Sequence, residues 1–145
     1  MALNDQQHRI TPVAAALSDT TGEGRLFLAA DNLGDHQVYA GEEDRPSLAI
    51  DLVQGSEYLR QLDLLKVDTQ GSEYQVIAGL MPLLSNLQHS PRVLIELTPH
   101  ALRQAGASGR ALIELLAQLE QPMWIVDHIE HRLYATTAEE LAVWC

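Results

Sequence analysis

The run LDLLKVDTQGSEYQVIAGL, from Leu62 to Leu80, constrains the fold of this chain more than any other stretch. Its first half is short, mostly apolar and ends in a carboxylate at Asp68, the pattern of a buried strand. After Gly71, residues Tyr74, Ile77, Leu80 and Met81 fall at helical spacing, and Ser72 with Gln75 three residues on reads as a capping box. Strand, polar turn and helix form the unit from which doubly wound sheets build ligand crevices, with the chemistry at the carboxyl ends of the strands. Asp68, Thr69 and Gln70 stand at that end. Gly79 fits the left-handed stop of this helix, and Pro82 the first turn of a second, short one.

The rest of the chain is expected to alternate in the same way. Met1 to Arg9 is polar and loose. Ile10 to Leu17 reads as a strand, and Ser18 to Gly24 as turn chemistry. Arg25 to Ala29 and His36 to Ala40 read as the arms of a hairpin turning at Asn32, Gly34 and Asp35. Gly41 to Ser47 is an acidic loop, and the segment from Leu48 becomes helical toward Arg60. Val93 to Leu97 is a second buried strand, closed by Thr98 and Pro99. Ser108 caps a helix with Leu112, Leu115, Leu116 and Leu119 on its apolar face. Met123 to Asp127 and Arg132 to Ala135 make a further hairpin, and Thr137 with Glu140 a capping box for a last turn of helix. This order is α/β with a mixed sheet. The run QGSEY occurs twice, at Gln54 to Tyr58 and Gln70 to Tyr74, but its flanks differ, so it does not mark a repeat protein.

Bulk properties narrow the function. With 145 residues the chain is expected to be a single domain, residues 1–145. A formal net charge of −11 excludes nucleic acid and anionic membrane as partners, since phosphate contacts need clustered Lys and Arg. The single cysteine, Cys145, can form no internal disulfide. No apolar run approaches a membrane span and no signal peptide is recognisable, so the expected location is cytoplasmic. The six histidines show no zinc spacing, and no metal site is expected. Trp124 and Trp144 read as packing residues.

KVDTQGSEYQVIAG resembles the KxDxxGxExxVLxG signature of the FkbM-type S-adenosylmethionine-dependent methyltransferases. Lys66, Asp68, Gly71, Glu73, Val76 and Gly79 are kept. Ile77 replaces the usual Leu, and Gln70 stands where many members have Glu. AALSD (Ala15 to Asp19), the following Asn32 and Gly34, and VLIEL (Val93 to Leu97) agree in order and spacing, so the resemblance covers roughly Ile10 to Leu97. It implies an O-methyltransferase acting on a sugar or polyketide-like hydroxyl, with S-adenosylmethionine as cofactor and a small-molecule acceptor as partner. In the family a Gly-rich strand and its successor precede the AALSD-like strand; Gly22-Glu23-Gly24 and Gly106 to Gly109 read only as turns. The resemblance therefore implies an incomplete Rossmann-like methyltransferase fold, a mixed sheet with antiparallel hairpins that lacks the N-terminal cofactor-binding strands. The strands missing from that order would lie between the Ala15 and Asp68 strands. An edge left open there is a template for pairing with another chain, as in a homo-oligomer. The alternative function is a non-catalytic acidic α/β module that associates through this edge.

Methyl transfer to a hydroxyl needs positioning and a base for the hydroxyl proton. Asp68 and Glu96 end neighbouring strands, so their carboxylates can converge and one can orient or deprotonate the acceptor. The competing readings have Asp68 capping turn amides and Glu96 paired with a Lys or Arg; an acid–base hydrolase is a third use of the pair. Glu73 is a further catalytic candidate, although a carboxylate in a first helical turn also complements the helix dipole. Lys66, inside a strand, is expected to be buried against Glu73 or Glu96. Asn32 and Gln70 are the candidate acceptor contacts, and Ser18 and Asp68 the candidate cofactor contacts.

Overall fold

The computed structural model describes residues 5–6, 8–40 and 45–145; parts of the expected N-terminal tail and of the acidic loop lie outside them. Among the described residues, seven strands form three small sheets. In the first, β3 (Ser47–Gln54) is central, parallel to β1 (Ala15–Ser18) and antiparallel to β2 (Gly22–Phe27). In the second, β4 (Leu64–Val67) runs parallel to β5 (Arg92–Ile95). The third is the hairpin of β6 (Met123–Asp127) and β7 (Arg132–Thr136). The class is mixed α/β, as expected, with small mixed and antiparallel sheets.

The helix α2 (Glu73–Leu84) organises the packing. It connects β4 to β5 and lies against β1, the short α1 (Gly55–Tyr58) and α4 (Gly109–Ala117). Along β4, Leu65 and Val67 are buried beneath it, whereas Leu64 and Lys66 face outward. This alternation makes β4 a strand covered on one face, not the fully buried strand that its apolar run suggests. Val76, Ile77, Leu80 and Leu84 of α2 meet Leu102 of α3 (Pro99–Gln104) and Leu112 of α4 in one core cluster. Ile77, Leu80, Leu102 and Leu112 are fully buried, each contributing about 2 kcal/mol of transfer free energy.

Several local expectations are overturned by tertiary contacts. Gly79 does not stop α2. It lies mid-helix because a Cβ there would come within 1.9 Å of the Ser18 carbonyl oxygen, so glycine lets α2 touch β1. Pro82 opens no second helix; it sits on the exposed side of the last turn of α2. Ser72 precedes α2 without a side-chain cap, and the Gln75 amide instead donates to the Ala105 carbonyl at 3.1 Å. The hairpin expected of residues 25–40 reduces to one bridge, Phe27 to Gln37, because β2 spends its hydrogen bonds on β3. The helical tendency after Leu48 is confined to α1. α3 was not expected, although Thr98 followed by Pro99 at the first helical position is a helix-start signal.

Both QGSEY copies sit at a strand-to-helix junction, between β3 and α1 and between β4 and α2. Gly55 of the first copy lets α1 approach Leu80. The Ser108 cap, the β6–β7 hairpin and the Thr137–Glu140 capping box of α5 (Ala138–Ala142) are formed as expected. Trp124 and Trp144 are 57% and 62% exposed, so neither is a core residue. No helix among the described residues is long and apolar enough to cross a membrane.

Candidate functional site

The β4–β5 register places the candidate carboxylates side by side. Val67 pairs with Ile95, the Glu96 amide donates to the Val67 carbonyl at 3.1 Å, and Asp68 and Glu96 follow directly beyond the two strands. There each carboxyl bears on the proton affinity of the other. Two residues earlier on the same face of β4, the Lys66 ammonium donates to Asp68 Oδ2 at 2.6 Å. Lys66 is therefore neither buried nor paired with Glu73 or Glu96. That face of the sheet carries no covering layer among the described residues, with Leu64 and Leu94 also exposed, so the lysine reaches water while neutralising its neighbour.

The two carboxyls titrate in opposite directions. The Lys66 hydrogen bond, helped by its charge, holds Asp68 below the usual carboxylate range. Burial pushes Glu96 up, and the neighbouring Asp68 carboxylate and the charge of Glu73 push it further, against a hydrogen bond from Thr98. Of the pair, Asp68 ionises first and Glu96 retains the proton. Two carboxylates with separated affinities for a proton are the ordinary raw material of acid–base chemistry.

Glu73 is held differently from a simple dipole-complementing carboxylate. It is 1% exposed and folds back over the turn that precedes α2. Its Oε1 accepts from the Thr69 amide at 2.9 Å, the Thr69 hydroxyl at 3.2 Å and the Gly71 amide at 3.1 Å. The turn itself needs left-handed backbone at two consecutive positions, Gln70 with φ 54° and Gly71 with φ 109°. Glycine is required at the second, since a Cβ would also meet the Ala101 carbonyl oxygen at 2.6 Å. Gln70 thus stands in a conformation that non-glycine residues seldom adopt, beside Asp68.

The remaining candidates are placed as follows. Asn32 is exposed, and its Oδ1 accepts from the Gly34 amide at 3.0 Å, closing its own loop. Tyr39, a residue that no sequence pattern singles out, lies on the segment after that loop; burial, then the charges of Asp35 and Glu73, raise its phenol. Ser18, at the end of β1, is buried; its hydroxyl donates to Asp19 Oδ1 at 3.1 Å and its carbonyl lies against Gly79. The Gly71 turn and the end of β1 are thus packed against the protein's own backbone. Two concavities, of about 280 and 370 Å³, lie against the first sheet, one beside Ala15, Leu17 and Tyr58 and the other beside Leu26 and Ile50. Neither is lined by Asp68 or Glu96. No group of three or more His, Cys, Asp or Glu among the described residues is arranged to hold a metal ion.

A family model described as the Methyltransferase FkbM domain matches residues 1–133. No curated protein and no solved structure gives a significant match. The match spans the whole β4–turn–α2 unit and the strand β5 that Glu96 follows, and the chain belongs to the FkbM methyltransferase family.

Proposed function

We propose that this chain provides the acceptor side of an O-methyl transfer, a cytoplasmic reaction whose acceptor is a sugar or polyketide-like hydroxyl. The methyl donor expected from the family is S-adenosylmethionine. The observation that carries the reading is the Asp68–Glu96 pair, whose proton affinities are split at the ends of two parallel strands. A hydroxyl becomes nucleophilic as its proton leaves, and the best acceptor for that proton is the carboxyl whose pKa lies nearest the working pH. Glu96, pushed up by burial, fills that role once ionised. Asp68, fixed and kept charged by Lys66, accepts a hydrogen bond from the same hydroxyl and orients it. Gln70, two residues after Asp68 on the turn with left-handed backbone, is the further acceptor contact.

The test is transfer of labelled methyl from S-adenosylmethionine to a panel of sugar and polyketide hydroxyls. Glu96→Gln is expected to lower kcat by about 10²-fold or more. Undiminished transfer by that variant would remove Glu96 as the base.

A second reading rests on a separate observation. β1 and β4 each have a hydrogen-bonded partner on one side only among the described residues. We infer that these free edges can pair with another copy of the chain. Light scattering across a concentration series checks this, and a strict monomer at high concentration would speak against it.

A further inference from the structure

We propose that Glu73 is a positioning residue for the acceptor site: it holds the turn from Thr69 to Gly71 in its left-handed form, so that Asp68 and Gln70 stand fixed before the hydroxyl that is methylated. The proposal rests on the O-methyl transfer reading and gives Glu73 this role in place of a catalytic one.

Three hydrogen bonds on one oxygen carry it. The Thr69 amide, the Thr69 hydroxyl and the Gly71 amide all donate to Glu73 Oε1, at 2.9, 3.2 and 3.1 Å. The two amides belong to the residues on either side of Gln70, whose φ of 54° non-glycine residues seldom adopt. Strained backbone of this kind persists only where its surroundings over-determine it. Amides brought together by such a turn form a concavity suited to an anion, and here the chain fills it with its own carboxylate. Hydrogen bonds to a charged acceptor are roughly twice as strong as neutral ones, so the cluster is well placed to offset the strain.

The far side of the turn is held as well. A Cβ at Gly71 would meet the Ala101 carbonyl oxygen at 2.6 Å, and the Gln75 amide donates to the Ala105 carbonyl at 3.1 Å. Ala101 lies in α3 and Ala105 caps it, and α3 is the helix that follows Glu96. The turn beyond Asp68 is thus packed on the element beyond Glu96, so the shape that Glu73 imposes on the turn also sets where Asp68 stands relative to Glu96. Glu73 does not act on the acceptor itself. The residue is 1% exposed, Oε1 is taken by its three donors and Oε2 is buried.

Glu73→Gln and Glu73→Ala in the full chain test this. Glutamine keeps a carbonyl oxygen that can accept from the same donors, and alanine keeps none. Transfer of labelled methyl from S-adenosylmethionine to the hydroxyl panel gives kcat and KM. NMR gives the Gln70 backbone conformation, through shifts and couplings that distinguish left-handed from extended backbone, and the exchange protection of the Thr69 and Gly71 amides. Glu73→Gln is expected to keep the left-handed Gln70 and to transfer within about threefold of wild type. Glu73→Ala is expected to release Gln70, to lose the amide protection and to lower kcat about 10²-fold with little change in KM.

Across the variants, then, transfer follows the conformation of Gln70. Loss of transfer with Gln70 still left-handed would make Glu73 a reacting group and overturn the positioning role. A Glu73→Ala variant in which Gln70 stays left-handed also overturns it. Should that variant not fold, the same rule applied to Glu73→Gln decides. If Glu96→Gln abolishes transfer while Glu73→Ala releases the turn and transfers undiminished, the positioning role fails and the enzymatic reading stands. A wild type that methylates none of the panel, with the turn still released in Glu73→Ala, overturns the transfer reading and with it the acceptor role, and leaves Glu73 only as the clamp of the turn.

Discussion

Replacing Gly79 by Ala sets two opposed effects against each other. Helix propensity alone favours alanine in the interior of α2 by about 1 kcal/mol. The added Cβ, however, would lie 1.9 Å from the Ser18 carbonyl oxygen and 2.8 Å from its carbon, where even 3.0 Å is rarely crossed. Reaching 3.0 Å requires α2 and β1 to part by about 1.1 Å. The obstacle is backbone, tied to β3 through the Ser18–Gln54 pairing, so it cannot turn aside as a side chain would. A gap of that size forfeits a substantial part of the dispersion contacts on either side of it, around Leu80 and Leu17. Overpacking of this kind costs about 1–3 kcal/mol or more and outweighs the propensity gain. We expect a net loss of about 2 kcal/mol, or roughly 4–8 °C in Tm for a chain of this size, measured by far-ultraviolet circular dichroism. Gly22→Ala, whose Cβ would meet nothing within 4 Å, is the control and should shift little. If Gly79→Ala instead raised Tm by about 2–4 °C, the propensity effect would be acting alone, and α2 could not be lying on β1 as described.

Glu96→Gln is expected to stabilise the protein at pH 7 and to change little below about pH 4 in paired thermal melts. The folded-state pKa of Glu96 is raised, so its favourable contribution is present only while it is protonated and is lost as pH rises through that value. Asp68 has the opposite sign: its lowered pKa stabilises the folded state above the unfolded pKa, and that contribution fades as pH falls through the folded one. Lys66→Met should return the Asp68 carboxyl toward its ordinary range, read by carbon-detected NMR titration. Ser108→Ala removes the acceptor of the Ala111 amide at the start of α4 and should cost about 1 kcal/mol in urea unfolding.

What the sequence reveals here is mostly what is local. The β4–turn–α2 unit, the Ser108 cap and the Thr137–Glu140 box are all specified within a few residues, and all are formed. The convergence of Asp68 and Glu96 follows from two apolar runs each ending in a carboxylate. Expectations that depend on distant neighbours are the ones overturned. Gly79 and Pro82 carry the local marks of a helix end, yet the glycine is there for β1 and the helix continues past it. β2 has hairpin chemistry at its end, but its partner is β3, about twenty residues on. Lys66 and Asp68 visibly share a strand face; that the face is uncovered depends on what packs against the sheet, which no pattern within β4 records.

The position of the two tryptophans has a practical outcome. Trp124 lies on the β6–β7 hairpin and Trp144 one residue from the C-terminus, and both are already largely in water in the native state. Their emission should be red-shifted before any denaturant is added and should change little as the α2 cluster melts. An unfolding curve recorded by tryptophan fluorescence would then track the fraying of a peripheral ribbon and a chain end, and would miss the cooperative loss of the core.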